Sequence, residues 1–152
     1  MTKTRTFLIG SLLVGGGLAL SRALGSRPEP GAEAGPLPAL GDVPNGYASA
    51  PLHLDASPDA VREMALVALQ NGLYPLFGHV ESIEATPLGL DAVVKIGPFA
   101  DDLSLAVLPD GDGAVLWARS ASRVGRSDLG VNRLRTQRLL DDIERRVRTS
   151  GQ

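Results

Sequence analysis

The chain has 152 residues, which leaves room for one domain of about 100 residues once flanking segments are set aside. It contains no cysteine, so disulfides, thiolate nucleophiles, cysteine-ligated zinc and a lipid-modified cysteine are all excluded. A net charge of −2 conceals a division: residues 26–118 hold thirteen acids and three bases, net −10, while residues 119–148 hold nine arginines and four acids, net +5. Charge segregated in this way favours an intramolecular or partner contact over nucleic-acid binding.

Lys3 and Arg5 precede an uncharged run of sixteen residues from Thr6 to Ser21. The run is shorter than the ~20 apolar residues of a membrane-spanning helix, and Ala23-Leu24-Gly25 offers a small-x-small cleavage site. Residues 1–25 are therefore expected to be a signal peptide or an N-terminal membrane anchor, which would place the domain on the extracytoplasmic side. Residues 26–46 carry five prolines and four glycines without a hydrophobic period and are expected to be a linker. Residues 47–149 are expected to form the single globular domain.

The first strand is expected from Tyr47 to Leu54, with Pro51 marking an edge or a bulge. Ser57-Pro58-Asp59 is a helix start: a cap, a proline at the first helical position and an acid in the first turn. Val61, Met64, Ala65, Ala68 and Leu69 follow at helical spacing up to the stop at Gly72, giving a helix over about 58–71. Strands are expected at 79–86 and 90–96, joined at Pro87-Leu88-Gly89. A further pair flanks Pro109-Asp110-Gly111-Asp112-Gly113. If that hairpin sets Val107 opposite Val115, Leu105 faces Trp117, Leu103 faces Arg119, and Asp101 lies diagonally beside Arg119. Trp117 would then be buried, and Asp101 or Asp128 would have to neutralise Arg119 at the end of the apolar face. The last helix, starting near Asp128 or Asn132, sets Thr136, Leu140, Ile143 and Val147 on one stripe, beside Leu139, with most of its arginines outward. The order β-α-β-β-β-β-α points to an α+β fold: an antiparallel sheet of about five strands with two helices packed on one face.

The stretch from Arg119 to Arg135, R-S-A-S-R-V-G-R-S-D-L-G-V-N-R-L-R, is the one whose residues go beyond packing. It combines arginines at 119, 123, 126, 133 and 135 with Ser, Asp and Asn residues suited to capping. Its first fifteen residues, Arg119 to Arg133, together with the upstream Phe99-Ala100-Asp101-Asp102, resemble an uncharacterised bacterial and plastid family, domain-of-unknown-function family 1499, over about Pro44 to Val147. The resemblance implies a fold and not a reaction. Where that family commonly reads Pro-Asn-Cys-Val-Ser-Ser, this chain has Pro44-Asn45-Gly46-Tyr47-Ala48-Ser49, so no thiol role carries over.

The candidate binding residues are Asp101, Asp102, Arg119, Ser120, Ser122, Arg123, Arg126, Asp128, Asn132 and Arg133. Arg119, Arg123 and Arg126 with free N–H groups at the helix start could hold a phosphate or carboxylate. Against this, Asp101, Asp102 and Asp128 are at hand to occupy the same arginines. Asn132 fits a helix cap, and Ser120, Ser122 and Ser127 fit capping or turns, since a serine nucleophile needs a base and His53 and His79 lie elsewhere in the chain. Two histidines make no zinc motif, and Asp110-Gly111-Asp112 lacks the further acids of an EF-hand loop, so neither a metal nor a cofactor is expected. The bases on the last helix could touch anionic lipid headgroups; against this, Asp141, Asp142 and Glu144 interrupt the basic run, which suits a solvated face. No stacking platform for nucleic acid is visible.

The expectation is an exported or membrane-anchored envelope domain acting as a non-enzymatic binding or interaction module. Its partners would be the membrane through an uncleaved N-terminal segment, an anionic ligand or an envelope protein. The alternative is a hydrolase or transferase acting on an anionic substrate through the Asp/Arg signature.

Overall fold

The computed structural model describes residues 35–38, 40, 45–73, 77–125 and 127–151. Eight elements follow one another: β1 (Gly46–Ala48), β2 (Leu52–Leu54), α1 (Pro58–Gln70), β3 (His79–Ala85), β4 (Gly89–Ile96), β5 (Phe99–Asp110), β6 (Gly113–Ser122) and α2 (Val131–Ser150). The six strands form one antiparallel sheet, with β1 and β2 both pairing along one side of β6 and β5, β4 and β3 following on the other. Since β2 and β3 lie at opposite edges, α1 must cross the sheet to join them, and it packs with α2 over one face. This is the expected α+β architecture, with the first strand resolved into two.

The break falls at Ser49-Ala50-Pro51, where proline has no N–H to give the ladder. Ser49 repairs the gap: its N–H donates to Ala118 O at 2.8 Å and its Oγ accepts from Ala118 N at 3.0 Å. α1 begins as its residues dictate, Ser57 Oγ accepting from Ala60 N at 3.3 Å with Pro58 in the first turn. Its buried stripe of Val61, Ala65, Ala68 and Leu69 meets the apolar side of the sheet. α2 covers the other half with Leu139, Leu140, Ile143 and Val147.

The hairpin of β5 and β6 turns in two residues, Gly111-Asp112, with Gly111 at φ 57 and Asp110 paired to Gly113. This sets Val107 opposite Leu116 and not Val115. A slip of one residue exchanges the faces of a whole strand. Leu105 therefore faces Ala118, Leu103 faces Ser120 and Asp101 faces Ser122, while Trp117 and Arg119 turn to the sheet's outer face opposite Ala106 and Ser104. The expected burial of Trp117 in the core and the expected Asp101–Arg119 pair are both corrected by this register. The core side of β6 is instead Ala114, Leu116, Ala118 and Ser120, mostly small residues that let the helices sit close to the sheet.

Within the stretch expected to be a linker, Gly35 lies on the outer face against the indole of Trp117. It holds φ 56, and a Cβ at that position would overlap the ring. Leu40 packs on Gly46 in the same manner. Beneath this layer Ala106 and Ala121 are buried although they belong to the outer face. Gly35→Ala should therefore cost about 1–2 kcal/mol through its positive φ and the lost contact, a fall in melting temperature of about 4 °C or more for a domain of this size. Because Trp117 is the single tryptophan, its emission should red-shift in the same variant. Unchanged emission and melting would mean that Gly35 does not cover the ring.

Candidate functional site

α2 starts at Val131 because Asp128 caps it: one carboxylate oxygen accepts from Gly130 N at 2.9 Å and the other from Asn132 N at 2.7 Å. Ser127 Oγ accepts from Leu129 N at 3.3 Å and closes the preceding turn. Asp128 is thus spent on the helix end, and the expectation that Asn132 caps the helix is corrected. Asn132 lies one residue into the helix and is buried, facing the end of β6.

Four elements meet around it. Asn132 Oδ1 accepts from Ser120 Oγ at 2.5 Å and from Arg135 Nη1 at 3.1 Å. Its Nδ2 donates to Asn45 O at 2.7 Å and to Ser122 Oγ at 2.9 Å. Three residues on, Arg135 points the same way and is 0 % exposed. Its Nε donates to Phe77 O at 2.9 Å and its Nη1 also reaches Ser120 Oγ at 3.3 Å. Nη2 lies 2.7 Å from Asp101 Oδ2, a contact held by charge without a well-aligned N–H···O. Asp101 is itself buried at the start of β5. A lone buried guanidinium costs several kcal/mol to desolvate, and here a carboxylate, two side-chain oxygens and a carbonyl offset that cost.

The expected lock between the hairpin and the last helix is therefore present, but its cation is Arg135 and not Arg119. The other arginines of α2 are exposed or half-buried, as expected, and Arg135 is the exception, a residue type almost never fully buried unless paired. The signal that could have found it is the helical stripe itself: Asn132, Arg135, Thr136, Leu139, Leu140 and Ile143 fall on one face, all of them buried. Thr136 is accommodated by donating its hydroxyl back to Asn132 O at 2.8 Å.

The remaining signature residues separate from this network. Asp102 and Arg123 pair on the outer face, Nη2 to Oδ1 at 2.7 Å with Nε beside both oxygens, each side chain about half exposed. Arg119 is partly buried on the same face, and its Nε has no hydrogen-bond partner. Arg133 lies 6.0 Å from the centroid of Tyr47. Burial pushes the Tyr47 phenol up, partly offset by the Arg133 charge and a hydrogen bond with Gln137, so the ring stays neutral beside the cation. Arg126 lies outside the described residues.

Farther along α2, burial pushes the Asp142 carboxyl up, but hydrogen bonds and charge from Arg146 and Arg145 outweigh it and hold it below the usual range. His53 pairs with Asp110 at the far hairpin turn, remote from Ser120, Ser122 and Ser127. Among the described residues no group of three or more His, Cys, Asp or Glu side chains could hold a metal ion.

The fold and this network define an α+β domain in which a buried arginine of the last helix is tied to the first residues of a central strand. The chain belongs to the DUF1499 family, proteins of unknown function, whose family model matches residues 32–143. No curated protein sequence matches it. Among solved structures it is similar to TTHA0849 from Thermus thermophilus, with 15% identity and a TM-score of 0.43, over 70% of this chain and 99% of that one.

Removing one partner of a buried pair strands the other, so Arg135→Ala and Asp101→Ala should each destabilise by about 3–5 kcal/mol in denaturant titration. Arg123→Ala, at an exposed pair, should leave the unfolding midpoint nearly unchanged. In double-mutant cycles Arg135 and Asp101 should couple strongly, whereas Arg119 and Asp101, on opposite faces of the sheet, should be additive. Coupling to Arg119 in place of Arg135 would reverse the assignment.

Proposed function

We propose that this chain is an exported or membrane-tethered envelope domain working as a non-enzymatic binding module, in which the DUF1499 signature chiefly holds the scaffold together. The observation that carries this reading is the closed network at Arg135. Asp101, Ser120, Ser122, Asn132 and Arg135 bond to one another and to Asn45 and Phe77; Arg135 and Phe77 also line a cleft beside the end of α1, with Asn71, Arg138 and Arg146, but neither Asp101 nor Ser120, Ser122 or Asn132 lines it. A hydrolase or transferase using Asp101 would need that carboxylate exposed to a substrate, and it is buried beneath a helix.

The tethering half of the reading rests on residues 1–25, with Lys3 and Arg5 ahead of sixteen uncharged residues. They lie outside the described residues, and among the described ones no helix is long and apolar enough to cross a membrane. The two halves are tested separately. A reporter enzyme that matures only outside the cytoplasm should be active when fused after Gln152, and one active only in the cytoplasm should not. The reverse pattern defeats the export reading. The purified chain should turn over neither p-nitrophenyl acetate nor p-nitrophenyl phosphate above background. Turnover abolished by Asp102→Asn or Arg123→Gln, the exposed acid and base of the signature, would favour the enzyme.

A further inference from the structure

A cleft of about 300 Å³ opens where α1 ends against α2. At ~30 Å³ for each water-sized group it has room for about ten of them, the small end of the range for ligand sites. The end of α1 makes one wall: Gly72, at φ 80, turns the chain out of the helix, and a Cβ there would meet nothing within 4 Å. The other wall is a stripe of α2. Arg135, Arg138, Asp142 and Arg146 follow one another at intervals of three or four residues, so one face of the helix presents them all to the cleft.

These charges are not equally available. Arg135 is committed to Asp101 and the buried network. Arg146 donates Nε to Asp142 Oδ2 at 2.8 Å, and Asp142 also accepts from Arg145 at 2.6 Å. Arg138 is exposed and has neither a hydrogen bond nor a carboxylate partner among the described residues. Setting Asp101 against Arg135 and Asp142 against Arg146 leaves one positive charge in the cleft, and it is Arg138's. The side-chain amide of Asn71 is likewise without a hydrogen bond among the described residues. Leu73, Phe77 and Leu139 supply most of the apolar lining.

A solvated arginine on a helix needs no explanation by itself. What sets Arg138 apart is its company: a concave surface, an amide with donors and an acceptor to offer, and an apolar wall, the combination that marks small-molecule sites. The chemistry of the ligand follows from the charges. A planar guanidinium fork matches the two oxygens of a carboxylate. A surplus of one positive charge, with the Asp142 carboxylate in the same wall, suits a monoanion and works against a phosphate dianion. The Asp142 carboxyl is held below the usual range by Arg146 and Arg145, so its negative charge is present whenever a ligand carboxylate is ionised.

We infer that this cleft binds a small organic monocarboxylate, its carboxylate forked by Arg138 beside the Asn71 amide and its apolar body laid against Leu73, Phe77 and Leu139. The inference rests on the binding-module reading above and gives that module a ligand class and a site outside the stretch from Arg119 to Arg133. The buried network then acquires a second task. Arg135 Nε holds Phe77 O at 2.9 Å, which fixes the apolar wall to the helix that carries Arg138.

The test titrates phenylacetate and hexanoate, one aromatic and one aliphatic monocarboxylate, into the isotope-labelled full-length chain and follows backbone amide shifts. At least one should give saturable shifts gathered at Asn71, Gly72, Leu73 and Arg138. The uncharged phenylacetamide and the dianionic phenyl phosphate should bind about tenfold more weakly or worse than phenylacetate, a comparison that needs no variant. Arg138→Gln should lower carboxylate affinity by about tenfold or more, while Arg148→Gln, exposed on the same helix outside the cleft, should leave it unchanged. Tighter binding of phenyl phosphate overturns the ligand class. Saturable shifts confined to residues 119–133 overturn the site, and equal losses in the two arginine variants mean attraction by charge alone and overturn it too. No saturable shift with either carboxylate overturns the inference outright. None of these results touches the module reading, which falls only if the nitrophenyl ester or phosphate is turned over.

Discussion

Everything at one end of this domain depends on keeping a guanidinium in the dry space beneath α2. Arg135 has no exposed surface, so each of its donors must find an acceptor from the protein. The acceptors come from four places in the chain: the segment after α1 through Phe77, β5 through Asp101, β6 through Ser120, and α2 itself through Asn132. An ion pair of this kind adds little net stability over a well-packed apolar equivalent, because desolvation consumes most of the Coulombic gain. What it specifies is position. A slide of α2 along the sheet would separate the contacts to Phe77, Asp101 and Ser120 together.

The two faces of the sheet are closed by different means. The inner face is covered by helices whose apolar stripes meet Leu103, Leu105, Val107 and Leu116, ordinary hydrophobic burial that grows with area. Among the described residues no helix covers the outer face. Its middle is covered where Gly35 lies on Trp117, and its end is polar, with Asp102 and Arg123 paired in solvent. The family signature and the two residues after it, seventeen polar-rich residues in all, therefore do several physical jobs at once: Asn132 and Arg135 serve the interior, Asp128 the helix end, and Arg123 the exposed surface. Such a signature is a poor guide to chemistry, since one spacing of arginines and serines arises from caps, locks and surface pairs alike.

The amino-acid sequence by itself determined the elements and their order. Ser57-Pro58-Asp59 starts a helix whatever surrounds it, Gly72 stops it, and the period of Leu139, Leu140, Ile143 and Val147 settles which side of α2 is buried. These are local propensities and periodicities, carried by residues a few positions apart. The choice of register between β5 and β6 was decided by tertiary structure, because Gly111-Asp112 and its neighbours allow turns of two or three residues and local chemistry separates them weakly. Small Ala114, Ala118 and Ser120 must lie under the helices while Trp117 takes the outer face, and only the packing of the whole domain selects the register that does both. Once chosen, it sends Arg119 outward and leaves Asp101 to Arg135. From sequence alone the two arginines look alike; the partner each one finds depends on residues dozens of positions away that the folded chain brings together.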